Sequence, residues 1–216
     1  IKVFTKSDFM SYKTMFLFVV LSMNFMVNAT SMQGQPAPSF NLQDQDGKTH
    51  QLSDYDGQWL VVYFYPKDDT TGCTIEAKAF RDNYDALQGI NTEVLGVSLD
   101  DAESHREFIN KYDLPFKLLV DDNKVMSKDY GVDGGMAFFK YAKRQTFLIN
   151  PAGVIAKHFE DVDPSTHYEE VFAALSELQN ASDHGKKISK TEPTAVMDAY
   201  TVFGQAWEYP GVQSND

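Results

Sequence analysis

The chain of 216 residues has almost no cysteine: Cys73 is its single thiol. One cysteine excludes an intramolecular disulfide framework, a C-x-x-C redox pair and a zinc site built from several cysteines. A disulfide oxidoreductase that works through a C-x-x-C pair is therefore excluded. Any thiol chemistry of this chain must take place at Cys73.

Positive charge is also scarce. Nineteen lysines and arginines stand against 31 aspartates and glutamates, which gives a formal net charge of −12 and a pI near 4.7. Counterion release cannot drive a chain this acidic onto a phosphate backbone, so we expect no nucleic-acid partner. The arginines are Arg81, Arg106 and Arg144.

Patterns for metal or phosphate binding are missing as well. The histidines share no ligand spacing: they are His50, His105, His158, His167 and His184. The sequence has no glycine-rich phosphate loop, and the paired carboxylates Asp68-Asp69 and Asp121-Asp122 are typical of solvated loops. We therefore expect no metal ion and no organic cofactor.

The composition that remains is that of a folded domain. Hydrophobic residues make up 43% and charged residues 23% of the chain, so it can bury a core. The length suits one domain with extensions, which we predict as a domain over 30–180 and a C-terminal extension over 181–216. Within that extension, residues 183–190 predict a polar linker. Apolar spacing in 191–204 predicts a short helix that packs on the domain or on a second subunit.

The N-terminal segment resembles an export signal. From Met10 onward, Lys13 precedes an apolar run over 15–27, and Val27-Asn28-Ala29 offers a small-residue cleavage site. The run is too short for a transmembrane helix, which needs roughly 20 apolar residues. We predict a signal peptide over 10–29, with 1–29 outside the fold and the mature chain in a bacterial periplasm, without stable membrane insertion. An uncleaved anchor or a buried first helix is the alternative.

Buried strands alternate with helices along the rest of the chain. Leu60–Tyr65 is a continuous apolar run, which is typical of a strand buried on both faces of a parallel or mixed sheet. Similar runs occur at 94–97, 116–120, 146–149 and 154–159, and helical spacing occurs at 73–87, 101–112, 123–130 and 164–178. Phe40, Leu42 and Leu52 frame a short hairpin that turns at Asp46-Gly47. This alternation predicts a three-layer α/β domain.

Cys73 stands where the buried strand ends and a helix begins, which is where ligands bind in open α/β sheets. Unpaired N–H groups and the helix dipole in a first turn favour a thiolate, but by only about 0.3–2 kcal/mol. Lowering an ordinary thiol pKa from about 8.5 to about 6 takes about 3.4 kcal/mol, so a cation is needed too. Arg144, immediately before the predicted strand at 145–149, is the best-placed candidate.

The residues around Cys73 match a known motif. Pro66-x-x-x-Thr70-x-x-Cys73 is the active-site motif of peroxiredoxins. The stretch 63–70, followed by Gly72-Cys73-Thr74, resembles the peroxiredoxin Q group, also called bacterioferritin-comigratory proteins. The resemblance continues at 97–100, 129–132 and 144–149, and it covers roughly 35–178.

The resemblance implies a thioredoxin-like fold, with a central mixed sheet flanked by helices, and reduction of hydrogen peroxide or organic hydroperoxides. By the same resemblance, Cys73 is the peroxidatic cysteine and Thr70 hydrogen-bonds the peroxide. Pro66 shields the thiolate, and Arg144 stabilises it and polarises the departing oxygen. Glu76, one turn beyond Cys73, is a possible support that orients Arg144.

The sequence departs from the family pattern at two positions. Many relatives carry a resolving cysteine where this chain has Lys78, so a sulfenic acid on Cys73 needs an external thiol, from a thioredoxin-like protein or a small molecule. Thr71 replaces a common proline, which loosens the loop slightly. A non-catalytic thioredoxin-like binding or chaperone module of the cell envelope is the alternative function. A monomer and a homodimer are both compatible with the sequence.

Overall fold

The computed structural model describes residues 31–136 and 138–190, except for the side chains of Met136 and 183–190. The predicted signal peptide and the predicted helix in 191–204 lie outside the described residues. In chain order the strands are β1 (Asn41–Gln43), β2 (Thr49–Gln51), β3 (Trp59–Phe64), β4 (Thr92–Ser98), β5 (Lys117–Val120), β6 (Asp133–Met136), β7 (Phe139–Ala142), β8 (Gln145–Ile149) and β9 (Ile155–Phe159). The helices are α1 (Thr71–Asp82), α2 (Tyr84–Gly89), α3 (Ala102–Tyr112), α4 (Val125–Asp129) and α5 (His167–Lys190), with a 3-10 turn at Leu52–Tyr55.

The central sheet has five strands in the order β5-β4-β3-β8-β9. β3 runs parallel to β4, and β4 runs parallel to β5, whereas β8 is antiparallel to both β3 and β9. The predicted α/β class with a mixed central sheet is therefore confirmed. The predicted N-terminal hairpin is confirmed as β1 and β2, whose turn contains Gly47 at φ 79°.

Strand β3 supplies apolar side chains to both faces of the sheet. All six of its residues are buried, as the unbroken apolar run predicted. Because successive side chains alternate in a strand, Val61 and Tyr63 join the core that contains Phe80 of α1. On the opposite face, Phe64 packs against Phe147 of β8. Packing on both faces buries the sheet and so fixes the ends of its strands, from which the loops of the site start.

Two helices differ from their predicted extents. The apolar stripe predicted one helix over 73–87, but Asn83 separates α1 from α2 with φ −120° and ψ 13°. Its side-chain amide donates to the Ala79 carbonyl at 2.9 Å and so terminates the first helix. The helix predicted at 164–178 begins at His167 and continues to Lys190, so the backbone of 183–190 is helical and the linker prediction was wrong.

The linker prediction was wrong because polar composition alone does not end a helix; 183–190 contains no proline, and several of its residues are good helix formers. Among the described residues, neither α5 nor any other helix is long and apolar enough to cross a membrane.

The hairpin of β6 and β7 has no counterpart among the predicted elements. Its glycines, Gly134 and Gly135, interrupt the apolar alternation by which a strand is recognised.

The strand pairing brings two distant segments of the chain together. Because β8 is antiparallel to β3, the end of β3 lies beside the start of β8, and Phe64 pairs with Gln145. The loop after β3 leads to Cys73, while Arg144 directly precedes β8. The topology therefore places the predicted nucleophile and the predicted cation at one edge of the sheet.

Candidate active site

A buried carboxylate anchors the loop between β3 and α1. Tyr65 Oη and Ser104 Oγ each donate to Asp68 at 2.7 Å, and His105 Nδ1 lies 2.8 Å from the same carboxylate. The Asp68 backbone N–H donates to Asp100 Oδ2 at 2.8 Å. These contacts tie the loop to the start of α3 and to the turn after β4.

The prediction that the paired carboxylates lie in solvated loops was therefore wrong for two residues. Asp68 and Asp121 are each buried, at 6% and 1% exposure. Asp121 accepts hydrogen bonds from the backbone N–H and hydroxyl of Ser127 in α4. In each case the polar partners come from other elements or later residues, which compensates for the burial of the carboxylate.

The residue before Thr70 is held in an unusual backbone conformation. Asp69 has φ 55°, in the left-handed region that few residues other than glycine adopt. Its exposed carboxylate accepts hydrogen bonds from Lys111 Nζ and Tyr112 Oη, both at 2.6 Å. The end of α3 thus holds the turn that sets the direction of the chain as it enters α1.

Helix α1 begins as the sequence predicted. Thr70 is its N-cap residue, and its carbonyl accepts the Thr74 N–H at 2.9 Å. The Thr70 hydroxyl donates to the Lys67 carbonyl at 3.1 Å, so it does not cap the helix. Cys73 is the third residue of the helix, at its positive end, and is 1% exposed. Pro66 lies half-buried in the preceding loop.

One guanidinium joins the two acidic groups of the site. Arg144 Nη2 lies 3.1 Å from Cys73 Sγ, and Nη1 donates to Glu76 Oε2. Glu76 is 1% exposed. The other arginines are engaged elsewhere: Arg81 donates to the Tyr112 carbonyl and Arg106 to the Gln45 carbonyl. The structure therefore brings together the cysteine, arginine and glutamate that the sequence singled out.

A glycine leaves room for the guanidinium. A Cβ atom on Gly72 would lie 3.2 Å from Arg144 Nη2 and 3.4 Å from Pro164 Cγ. Such a contact would push on the nitrogen that reaches Cys73. The glycine before the cysteine thus leaves space for Arg144, and it does not serve an unusual backbone angle.

Burial changes the acid–base behaviour of this ion pair. Burial raises the pKa of Glu76 to about 7, although Arg144 acts in the opposite direction. For Arg144, burial alone would lower the pKa, but Glu76 and Cys73 raise it above its ordinary value. Arg144 therefore remains a cation, and two acidic groups share its charge.

Sequence reasoning missed one residue beside this site. His167, which was considered only as a metal ligand, lies fully buried at the start of α5. Its Nε2 atom is 2.8 Å from Thr146 Oγ1 and 4.0 Å from Glu76 Oε1. Nothing in the spacing of the histidines indicates this contact, because α5 is brought to α1 only by the tertiary fold.

We expect Glu76→Gln to change how stability depends on pH. The folded state binds the Glu76 proton more tightly than the unfolded chain does, because its pKa is raised from 4.5 to about 7. The stabilisation from this proton is complete below about pH 4.5 and is lost as pH rises through 7. Relative to Glu76→Gln, the wild type should thus lose roughly 2–3 kcal/mol of unfolding free energy between about pH 5 and pH 8.

Urea unfolding of both proteins at several pH values measures this difference. Glu103→Gln, on the exposed face of α3, is the matched control and should follow the wild type at every pH. A constant difference between wild type and Glu76→Gln over the whole range would show that Glu76 is charged throughout.

Comparison with known proteins agrees with this geometry. The model of the AhpC/TSA family matches residues 33–158. The chain is similar to the chloroplastic peroxiredoxin Q of Populus jackii, with 43% identity over 147 residues and 68% of each chain covered. It is also similar to that of Oryza sativa subsp. japonica, with 41% identity over 156 residues that cover 72% of this chain and 71% of the relative.

Solved structures point to the same group. Peroxiredoxin Q from Xanthomonas campestris aligns with a TM-score of 0.61 and 31% identity, over 64% of this chain and 90% of that one. A point mutant of Xylella fastidiosa PrxQ aligns with a TM-score of 0.62 and 31% identity, over 71% and 99%. These matches confirm the thioredoxin-like fold and do not favour a non-catalytic binding module. The chain belongs to the AhpC/TSA family and, within it, to the peroxiredoxin Q group of thiol-dependent peroxidases.

Proposed function

We propose that Cys73 is the peroxidatic residue and that its thiolate reduces hydrogen peroxide and organic hydroperoxides. The observation that carries this proposal is the 3.1 Å contact between Arg144 Nη2 and Cys73 Sγ at the positive end of α1. A helix terminus and a fixed cation both stabilise negative charge on sulfur. Together they supply the stabilisation of the thiolate that the helix dipole alone does not provide.

In the first step the thiolate attacks one oxygen of the peroxide. The S–O bond forms as the O–O bond breaks, so Cys73–S⁻ and ROOH, with one proton, become Cys73–SOH and ROH. Negative charge develops on the departing oxygen, where oriented N–H donors lower the barrier. Arg144 provides such donors, because its guanidinium has further N–H groups beside the two that are engaged.

Thr70 and Pro66 have the roles of binding and shielding in this proposal. The Thr70 hydroxyl, which donates to the Lys67 carbonyl, can turn to hydrogen-bond a bound peroxide in this proposal. Half-buried Pro66 limits the access of water to the sulfur. Both residues belong to the loop that Asp68 anchors, so their placement depends on that buried carboxylate.

An external thiol completes the cycle. The sulfenic acid reacts with a thiol R′SH to give a mixed disulfide and water, and a second R′SH then releases Cys73–SH and the disulfide R′SSR′. No second cysteine exists in the chain, and exposed Lys78 stands where many relatives have one. We propose a thioredoxin-like protein or a small thiol as the reductant.

Trapping of the sulfenic acid tests this proposal. After one equivalent of hydrogen peroxide in the presence of dimedone, intact-mass measurement should show one adduct, located at Cys73 by peptide mapping. The same treatment of Cys73→Ser should leave the mass unchanged. A wild-type thiol that survives the peroxide would instead support the binding-module alternative.

We also propose that residues 1–29 are an export signal, removed in a bacterial periplasm, and that the mature chain does not insert into a membrane. The support is the order of Lys13, the apolar run at 15–27 and the small residues that end at Ala29. The plant relatives named above are chloroplastic proteins. The N-terminal sequence of protein purified from its native host tests the proposal, and an intact segment 1–29 would contradict it.

Residues 30–180 form the catalytic domain in this proposal, and residues 181–216 form an extension that can cover either the domain or a second subunit. A monomer and a homodimer are the two assemblies that we propose. Sedimentation velocity of the chain with and without residues 191–216 distinguishes them. The mass of a single copy would exclude a dimer sealed by the extension.

A further inference from the structure

A buried histidine that the proposed roles do not use lies next to the ion pair. The His167 side chain is shielded from solvent, and its Nε2 atom lies between Thr146 Oγ1 at 2.8 Å and Glu76 Oε1 at 4.0 Å. The rings of Phe80 and Phe159 stand edge-on to the imidazole, with centroids 6.0 Å and 5.2 Å away. Aromatic packing thus fixes the ring with one polar edge turned towards the site.

Glu76 has one oxygen that lacks a hydrogen bond. Oε2 accepts from Arg144, but Oε1 is buried and has no hydrogen-bond partner within the described part of the chain. An unpartnered oxygen in a buried carboxylate disfavours the charged form. The atom that faces Oε1 is His167 Nε2, so the polarity of that nitrogen affects how readily Glu76 holds its charge.

The imidazole is neutral near pH 7. Burial lowers the pKa of His167 to about 4, and nearby Arg144 acts in the same direction. The charged groups that face it are Glu76 from α1 and Arg144 just before β8. A proton on Nδ1 would be buried without an acceptor, because Nδ1 has no hydrogen-bond partner among the described residues. The proton therefore belongs on Nε2, which donates it to Thr146 Oγ1 at 2.8 Å; Glu76 Oε1 lies 4.0 Å from the same nitrogen, beyond hydrogen-bond distance but close enough to interact with its partial positive charge.

We propose that His167 is a positioning residue of the peroxidatic site. The partial positive charge of its Nε2–H, 4.0 Å from Glu76 Oε1, favours the charged form of the carboxylate, and charged Glu76 in turn holds the Arg144 guanidinium on the Cys73 sulfur. The four side chains thus form one connected group, since Thr146 on β8 lies two residues after Arg144, which directly precedes that strand. The inference rests on the proposed function, in which Cys73 is the reacting atom.

The test compares variants that differ in the group placed at Nε2. His167→Leu removes the N–H, Thr146→Val removes the hydroxyl that orients it, and His167→Gln keeps a neutral N–H donor. Stopped-flow measurement gives the second-order rate constant with hydrogen peroxide between about pH 6 and pH 9, and thermal unfolding gives stability. Val171→Ala, which opens a cavity one turn further along α5, is the control for a general loss of stability.

We expect His167→Leu and Thr146→Val to react roughly five- to tenfold more slowly than wild type near pH 7, which is the scale of one lost polar interaction. Their rates should approach the wild-type rate as pH rises, because Glu76 then becomes charged without help. His167→Gln should stay within about twofold of wild type, and Val171→Ala should be less stable but equally fast.

Three results would overturn the inference. The first is a His167→Leu variant as fast as wild type at every pH. The second is a Val171→Ala variant slowed as much as His167→Leu at equal loss of stability. The third applies if His167→Leu does not fold: it is a Thr146→Val variant that reacts as fast as wild type at every pH. A wild-type protein that is itself inert towards peroxide would overturn the proposed function, which is a separate failure from unchanged variants of an active enzyme.

Discussion

Cys73→Ser should have no peroxidase turnover above that of buffer, a loss of more than about 10⁴-fold on the scale seen when a covalent nucleophile is removed. A serine hydroxyl is not ionised near neutral pH, so it cannot attack the O–O bond as the thiolate does. Because the chain has no other cysteine, no second thiol can substitute for it. Peroxide consumption with an excess of a small thiol measures the effect.

The loss should come from chemistry and not from unfolding. Serine has nearly the shape of cysteine, and Arg144 can donate to its oxygen as it does to Sγ. Thermal unfolding should therefore show a folded protein. Lys78→Ala, an exposed change on the same helix, is the matched control and should keep wild-type rates. Residual turnover in Cys73→Ser would mean that another group reduces peroxide.

Arg144→Ala is expected to slow the reaction with peroxide by about 10²–10³-fold at neutral pH, as does the loss of one oriented donor in other enzymes. The substitution removes the cation 3.1 Å from Cys73 and the donors for the departing oxygen. Less of the thiol is then ionised at neutral pH. The pH dependence of the rate separates the two effects, since raising the pH restores the thiolate but not the donors.

Removal of Arg144 also leaves Glu76 buried without its partner, which is strongly destabilising. The double variant Arg144→Ala with Glu76→Gln avoids this charge and should show the same kinetic loss in a stable protein. Arg144→Lys should recover only part of the rate, because one ammonium cannot reproduce the planar fork that reaches both Cys73 and Glu76. Arg81→Ala, on α1 but engaged with the Tyr112 carbonyl, is the control. Unchanged peroxide kinetics in Arg144→Ala would exclude its proposed role.

The central sheet and the start of α1 were predictable because their signals are local. The unbroken apolar run over 60–65 indicated a strand buried on both faces, and β3 is buried at every residue. Arg144 was predicted to reach Cys73 because an arginine just before a buried strand lies where its guanidinium can reach the end of a neighbouring strand. Local patterns suffice where one segment of the chain determines the outcome.

Predictions failed where the partners come from distant segments. Asp68 resembled a loop residue in sequence, but Ser104 and His105 of α3 satisfy its carboxylate and allow it to be buried. The position of His167 beside Glu76 depends on how α5 packs against α1. The helix break has a local cause instead: one side-chain contact, from Asn83 to the Ala79 carbonyl four residues earlier, ended a helix whose apolar stripe continued. Such contacts carry no periodic signal in the sequence.

The hairpin of β6 and β7 is closed at its base, where the Lys143 N–H donates to the Val132 carbonyl at 2.7 Å. Beyond that closure, the length of the hairpin does not affect the position of Arg144, because the pairing of β8 with β3 fixes Arg144 separately. An epitope tag or a fluorescent reporter can therefore be grafted at the tip, near fully exposed Phe138, without altering the active-site register. One residue inserted between Arg144 and Thr146 would instead turn the arginine to the other side of the sheet.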